Sequence, residues 1–304
     1  MRNAFAQEVT KLGQENDRVV LLSGDIGNRL FDDFKEAQGD RFHNCGIAEA
    51  NMMSVAAGLG MSGFRPIVYT ITPFTTTRCY EQIRVDVCYH ESPVIIVGTG
   101  SGLSYAQLGP THHSVEDIAI LRALPGMTVF CPCDVHEVRA GLKAALKQDG
   151  PVYFRLGKKG EPDIHKTEPV IEFGKSITVR EGDDVCIIST GNVVQLALDA
   201  AEELEGKGVS ARVESFHTVK PLDENCLRDA FASYKTVAVV EEHSEIGGLY
   251  GAVTEWRAQQ EAMPAKLVAV NLDDRFYHRV GSQAQVREHG GVTKEALVQK
   301  ILGN

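Results

Sequence analysis

Pro93-Val94-Ile95-Ile96-Val97-Gly98 is the stretch that decides the fold, because it is apolar without interruption and ends at a glycine. A strand with one face in water would alternate apolar and polar residues. An uninterrupted apolar strand is expected where helices cover both faces of a parallel sheet. Four other runs in the first half of the chain have the same character, at residues 18–23, 66–70, 127–130 and 151–154.

Helical stretches are predicted between these strands and again in the second half of the chain. They lie near residues 47–60, 75–90, 114–123, 134–148, 192–206, 249–261 and 293–302. The second half has its own strands, predicted at 184–189, 209–215, 236–241 and 266–270. This order predicts an α/β protein with two doubly wound, mostly parallel-sheet domains. We expect domains at 1–160 and 183–304, joined by a polar linker at 161–182 that is rich in chain-breaking residues.

Composition excludes several classes of protein. The 304 residues suffice for two cores, and the hydrophobic content of 43% and charged content of 24% are ordinary for a globular protein. The net charge of -10 argues against a nucleic-acid partner. No apolar run approaches the roughly 20 residues that span a membrane, and no secretory signal is evident, so we expect a cytoplasmic protein without a membrane partner.

The seven cysteines are scattered along the chain, so we expect buried free thiols and no disulfide framework. The adjacent His112 and His113 have no evident third ligand nearby in the sequence. We therefore expect no metal ligand in this chain.

Loops after four strands of the first half are the natural place for a site, since open parallel sheets bind ligands beyond the carboxyl ends of their strands. These loops cover residues 23–29, 70–74, 98–113 and 155–159. They are expected to converge on one crevice.

Two residues near these loops allow more than one interpretation. Glu49 opens a predicted helix of small apolar residues, and it is either a charge that complements the helix dipole or a buried carboxylate with a functional partner. Phe74 directly follows a strand, and it is either a core residue or a platform on which a planar ligand stacks.

Several segments together resemble the transketolase family of thiamine diphosphate enzymes, and the resemblance extends over nearly the whole chain. That family also includes 1-deoxyxylulose-5-phosphate synthase and, more distantly, the beta subunits of 2-oxoacid dehydrogenases. The segments that carry the resemblance are Ser23-Gly24-Asp25, Gly46-Ile47-Ala48-Glu49, residues 74–86, Gly109-Pro110-Thr111-His112, Thr218-Val219-Lys220-Pro221-Leu222-Asp223, and Glu241-Glu242-His243 with Gly247-Gly248-Leu249.

The resemblance implies a pyrimidine-binding domain followed by a transketolase C-terminal domain. It also implies roles for individual residues. Glu49 and His112 would be catalytic, with Glu49 hydrogen-bonded to the pyrimidine ring of thiamine diphosphate. The cofactor would also contact Asp25, Phe74, Thr77, Arg78 and Tyr80. Substrate would contact His43, His112, Arg155 and Arg29, with Arg155 on the substrate phosphate and Arg29 as an alternative anion contact.

One family motif is absent from the chain. The Gly-Asp-Gly motif with a downstream Asn holds Mg²⁺ and the diphosphate in the family, and the nearest string here is Gly24-Asp25-Ile26-Gly27-Asn28. The resemblance therefore implies a split enzyme, active only with an N-terminal transketolase subunit that holds Mg²⁺ and shares the cofactor. A heterotetramer with two copies of each chain is expected.

The implied reaction is transfer of a two-carbon ketol unit from a ketose, phosphorylated or otherwise anionic, to an aldehyde. Leu108 stands where transketolases have an aspartate and Gly100 where they have a histidine, and Ser101 lies near the phosphate-binding arginine position of the synthases. Two alternatives stay open. One is a synthase-like or 2-oxoacid-decarboxylating subunit, and the other is a catalytically silent interaction subunit.

Overall fold

The computed structural model of the protein describes residues 1–27, 29–261 and 263–303. The strands of the first half are β1 Val19–Ser23, β2 Phe42–Asn44, β3 Arg65–Ile71, β4 Ile95–Thr99, β5 Thr128–Phe130 and β6 Val152–Leu156. Its helices are α1 Arg2–Glu15, α2 Asp32–Gln38, α3 Glu49–Met61, α4 Thr72–Thr75, α5 Tyr80–Gln82, α6 Asp117–Arg122 and α7 Val135–Ala145.

The second half repeats the alternation of strands and helices. Its strands are β7 Ile177–Arg180, β8 Val185–Ser189, β9 Ala211–Ser215, β10 Thr218–Lys220, β11 Thr236–Ser244 and β12 Lys266–Leu272. Its helices are α8 Val194–Glu205, α9 Glu224–Ser233, α10 Leu249–Arg257, α11 Gln283–His289 and α12 Lys294–Leu302. Among the described residues, no helix is both long and apolar enough to cross a membrane.

Two mostly parallel sheets confirm the predicted fold class. In the described part of the chain, the first sheet has seven strands in the order β10-β5-β6-β4-β3-β1-β2, and the second has five in the order β12-β11-β8-β9-β7. The edge strand β10 is antiparallel to β5, and the edge strand β7 is antiparallel to β9. Helices cover both faces of the first sheet, which explains its uninterrupted apolar strands. In β1, Val19 and Leu21 face the core under α1, while Val20 and Leu22 face the core under α3.

The two halves exchange structure at their boundary. β10 belongs to the second half of the chain but pairs with β5 of the first sheet, with Thr218 opposite Phe130. The segment expected to be a linker contains β7, which pairs with β9 of the second sheet. One apolar cluster runs from Val20 of the first sheet to Ile188 and Val239 of the second.

The helix predicted near residues 75–90 is wrong as a single element. The chain forms the short helices α4 and α5, a 3₁₀ turn between them at Thr77–Cys79, and a π-helix at Ile83–Tyr89. The γ-hydroxyls of Thr75 and Thr76 both donate to the carbonyl of Thr72, at 3.0 and 2.7 Å, and that of Thr77 donates to the carbonyl of Pro73 at 2.8 Å. Such hydroxyl-to-backbone bonds compete with a regular helix.

The seven cysteines are free, as predicted. Five are buried, and Cys45 and Cys226 are half-buried.

Candidate active site

The loops after β1, β3, β4 and β6 meet at the carboxyl edge of the first sheet. The backbone N–H of Gly24 donates to the carbonyl of Tyr69 at 3.0 Å, which joins the first two loops. The Thr72 hydroxyl donates to the carbonyl of Thr99 at 3.1 Å, and the N–H groups of Gly100 and Ser101 both donate to the carbonyl of Leu156 at 2.9 Å. The crevice predicted from strand order is therefore one continuous surface.

Glu49 is buried at the start of α3, with 4% of its surface exposed. Arg78 donates from Nη1 to Glu49 Oε2 at 2.9 Å, and no hydrogen bond to Oε1 comes from the described part of the chain. A buried carboxylate is costly without such a partner. The sequence left Glu49 open between a dipole-stabilised helix start and a paired carboxylate, and the structure has it in both positions.

Arg78 also covers an aromatic ring. Its guanidinium carbon lies 4.1 Å from the centroid of the Phe74 ring, within cation–π distance. Phe74 is half-buried, so part of its ring is open to the crevice. The irregular backbone after α4 is what turns Phe74 and Arg78 toward Glu49.

His112 completes this group. Its ring meets the Phe74 ring edge to face, with centroids 5.4 Å apart and planes at 68°. The Thr111 hydroxyl lies 2.9 Å from His112 Nδ1. Burial lowers the pKa of His112, and the positive charge of Arg78 lowers it further. The imidazole is therefore neutral at neutral pH, with one ring nitrogen able to donate a hydrogen bond and one able to accept.

Asp25 braces the loop that leads into Glu49. Asp25 Oδ1 accepts from Asn44 Nδ2 at 3.0 Å, and Asn44 Oδ1 accepts from the Gly46 N–H at 2.9 Å. The Asp25 N–H donates to the carbonyl of Gly46 at 3.0 Å. Gly46 has a φ of 68°, a region that favours glycine. Asp25 thus holds the turn ahead of α3 and is exposed beside it.

The structure does not bring Arg155 to this surface. Arg155 is 2% exposed, and its Nε donates to Asp117 Oδ2 at 2.7 Å. Its Nη2 donates to the carbonyls of Ser114 and Glu242, at 3.0 and 3.1 Å. Burial opposes the charge on Asp117, but Arg155 lowers the pKa of that carboxyl below its usual value. This buried ion pair corrects the expectation that Arg155 holds a substrate phosphate, because its donors are already used inside the protein.

Four other predicted contacts lie around the crevice in different settings. The Tyr80 hydroxyl donates to the carbonyl of Ile120 at 2.9 Å, so Tyr80 is directed toward α6 and away from Phe74. Thr77 is exposed, with its hydroxyl bonded to the backbone. His43 is exposed on β2, opposite Leu22 in register. Arg29 is exposed in a groove beside α1 that it shares with Arg2.

Three residues beside His112 were not predicted. The Tyr105 ring lies 6.1 Å from that of His112, and Lys158 Nζ lies 4.3 Å from the Tyr105 centroid. The side chain of Arg2 faces the Tyr105 hydroxyl. Among the described residues, neither Arg2 nor Lys158 forms an ion pair with a carboxylate. Lys158 lies in the predicted loop 155–159 and could have been selected there, whereas Arg2 comes from the far end of the chain and had no such signal.

A second polar cluster lies where the two halves join. Ligand atoms of Cys133, Glu137 and His165 lie within 4.8 Å of one another, which is close enough to hold a metal ion. Protein groups already bond several of these atoms. Glu137 accepts from Ser215 Oγ at 2.8 Å and from the Cys133 N–H at 2.7 Å, and His165 Nδ1 lies 3.1 Å from Asp134 Oδ2. The expectation of no metal ligand stays a prediction.

Two family models match the chain in succession. The transketolase pyrimidine-binding domain matches residues 1–161, and the transketolase C-terminal domain matches residues 174–297.

Proteins of similar length are alike over their whole chains. A protein of Phocaeicola vulgatus named as the second subunit of an apulose-4-phosphate transketolase is 33% identical over 99% of this chain and 96% of its own. The 6-deoxy-6-sulfo-D-fructose transketolase subunit SqwH of a Clostridium species is 35% identical over 98% and 92%. A solved split-gene transketolase, an inactive beta4 tetramer, superposes with a TM-score of 0.91 at 36% identity, over 99% of this chain and 97% of that one.

Proposed function

Because this chain belongs to the transketolase family, we propose that it is one subunit of a thiamine diphosphate-dependent enzyme that transfers a two-carbon ketol unit from an anionic ketose to an aldehyde. The observation that carries the proposal is the group formed by Glu49, Phe74 and His112 at the carboxyl edge of the first sheet. The likeness to the apulose-4-phosphate transketolase subunit and to a split-gene transketolase supports the two-chain part of it.

The residues of this group fit the pyrimidine ring of the cofactor. Glu49 Oε2 is engaged by Arg78, which leaves Oε1 for a ring nitrogen. Phe74 offers a partly open aromatic face on which a planar ring can stack. When bound, thiamine diphosphate supplies the nucleophilic carbon and the electron sink that ketose cleavage requires. Glu49 would hold the proton balance of the ring through that one hydrogen bond.

Mg²⁺ and the diphosphate are assigned to the partner subunit. The sequence has no Gly-Asp-Gly motif. We propose two copies of each chain, so that every site takes Glu49 from this subunit and the metal ligands from the other.

His112 and the two cations near it suit the substrate. The neutral imidazole of His112 can donate to one sugar oxygen and accept from another. Arg2 and Lys158 give the adjoining wall a positive charge that suits an anionic end group. The two similar subunits carry the names of a phosphorylated and a sulfonated sugar, which supports an anionic ketose as the donor here.

Substitution of Glu49 by Gln tests the assignment of the cofactor contact. In the complex with the partner subunit, Glu49→Gln is expected to lower turnover by about 100-fold or more, because the amide cannot take part in proton exchange with the ring. Glu81→Gln is the matched control, since Glu81 is an exposed carboxylate paired with Arg84. Size-exclusion chromatography checks that the complex still assembles. Equal turnover in the two variants would remove Glu49 from the mechanism.

A donor comparison separates the proposed reaction from its alternatives. D-xylulose 5-phosphate and pyruvate are offered in turn with the same aldehyde. Ketol transfer from the ketose without release of carbon dioxide supports the proposal. Pyruvate consumption with carbon dioxide release indicates a synthase-like enzyme, and no turnover of either donor by the assembled complex indicates a silent interaction subunit.

A further inference from the structure

Tyr105 occupies the space that a side chain at position 100 would need. Gly100 has a φ of 87°, and a Cβ added to it would collide with the Tyr105 ring. A side chain at position 100 and the Tyr105 ring in this position therefore exclude each other. Gly100 is where the resemblance leads one to expect a histidine, so the wall of the cleft is formed here by a phenol ring that comes from elsewhere in the loop.

The Tyr105 hydroxyl lies in a positive environment and has a proton to offer. Arg2 faces it, and an arginine side chain can only donate, so the phenol oxygen is the acceptor in that pair. No acceptor for the Tyr105 O–H is found among residues 1–27, 29–261 and 263–303. Lys158 lies over the ring, and Arg2 Nε is buried without a hydrogen-bond partner in those same ranges. A free donor flanked by two cations suits an anion.

The second half of the chain fixes the loop that carries Tyr105. Glu242 is 1% exposed and accepts from the N–H of Leu103 at 2.5 Å. Gln283 Nε2 donates to Glu242 Oε1 at 2.9 Å and to Ser104 Oγ at 3.3 Å. Tyr105 itself is 8% exposed. Its ring is therefore a preformed part of the cleft beside His112.

We propose that Tyr105 is a specificity-determining residue, whose hydroxyl donates a hydrogen bond to the anionic end group of the ketose in the space that a side chain at position 100 would otherwise fill. The inference rests on the proposed function, because it names the part of that site that selects the donor.

The first test uses the complex with the partner subunit and two donors that differ only in phosphate, D-fructose 6-phosphate and D-fructose. Tyr105→Phe is expected to lower kcat/KM for the phosphorylated ketose about tenfold, mainly through KM, because one hydrogen bond to a charged group is lost. Turnover of the neutral ketose should change by less than about twofold, since it lacks the anion. Tyr234→Phe is the matched control, because its hydroxyl donates to the carbonyl of Gly182 in the second half.

A merely structural role for Tyr105 would lower both donors in proportion, and an unchanged ratio between them would overturn the inference.

The second test does not depend on turnover. Inorganic phosphate is titrated into the full-length chain alone, and the amide NMR signals of residues 100–109 are followed. Saturable shifts in the wild type that weaken about tenfold in Tyr105→Phe support the inference. The absence of phosphate-dependent shifts in the wild type would overturn it. If phosphate binding depends on Tyr105 while the wild-type complex turns over neither ketose, the proposed function fails and the assignment of Tyr105 as an anion contact stands.

Discussion

At the scale of single residues, Arg78 connects the three groups that define the site. It donates to Glu49, stacks on Phe74, and adds to the low pKa of His112. Its own side chain is 44% exposed, so it is held by these contacts and not by burial. A change at Arg78 should therefore be detected at His112, although the two are far apart in the sequence.

Replacement of Arg78 by Met should raise the pKa of His112. Burial is the larger cause of the low pKa and remains in the variant, so the rise is expected to be partial and to stop below the usual value near 6.5. The measurement is a pH titration of the histidine ring signals by NMR. Arg84→Met is the control, because Arg84 pairs with Glu81 on the surface. A pKa of His112 that is equal in the two variants would contradict the assigned influence of Arg78.

The residues of the site divide according to what a sequence can carry. Glu49, Phe74 and His112 were predicted because each lies in a short contiguous motif. The fate of Arg155 was not predictable, because its partners Asp117 and the Glu242 carbonyl come from α6 and from the second half of the chain. Tyr105 was missed because nothing local shows that its ring fills the space beside Gly100.

At the scale of secondary-structure elements, the start of α7 is a joint between the sheet and the segment that follows β6. Asp134 Oδ1 accepts from the N–H groups of His136 and Glu137, at 2.9 and 2.8 Å, and so caps the helix. Its Oδ2 accepts from the N–H groups of Ile164 and His165, at 2.9 and 2.7 Å. One buried carboxylate therefore satisfies four backbone donors in two segments.

Asp134→Ala should cost about 3 kcal/mol of unfolding free energy, about 1 for the lost cap and the rest for buried donors left without a partner. Urea unfolding of the full chain measures it. Thr293→Ala is the control, because Thr293 caps α12 through one bond to the Ala296 N–H and should cost only about 1 kcal/mol. Equal losses in the two variants would show that the contacts to Ile164 and His165 add nothing.

The same joint gives stability a dependence on acid. Burial alone would raise the pKa of Asp134, but His165 and the backbone donors lower it to about 2. The stabilisation is therefore complete above the unfolded value near 3.9 and is lost as pH falls toward about 2. Asp134→Ala should lack this part of the acid transition.

Elements were predicted well where their pattern is local and poorly where it is not. The apolar strands β1, β3, β4 and β6 follow from composition alone. α1 was missed although Phe5, Val9 and Leu12 lie at helical spacing and are buried, a signal the sequence does contain. β10 was missed for a different reason, because a three-residue strand is defined by its partner β5 and that partner lies in the other half.

At the scale of the whole molecule, the two halves behave as one unit that carries part of a site. β10 completes the first sheet from the second half, and Glu242 holds the loop of Tyr105. The pyrimidine contacts proposed for Glu49 and Phe74 lie on this unit, and the metal ligands are assigned to the partner. Cofactor binding should therefore require both subunits.

The chain alone is expected to bind thiamine diphosphate weakly and to show no ketol transfer, because it offers the contacts to only one end of the cofactor. Titration calorimetry measures binding, and a coupled assay measures transfer, each with and without the partner subunit in Mg²⁺ buffer. Light scattering after size exclusion should give the mass of two copies of each chain for the active species. Full activity of the isolated chain would refute the split-site assignment.

The position of β10 limits how this protein can be recombined. A chimera that joined its first half to the second half of a relative through residues 161–182 would import a foreign edge strand next to β5, where pairing is antiparallel and Thr218 faces Phe130. A crossover placed after Lys220 would keep β10 with its own sheet. The modular boundary for inheritance and engineering therefore lies about one strand later than the boundary that polarity along the chain suggests.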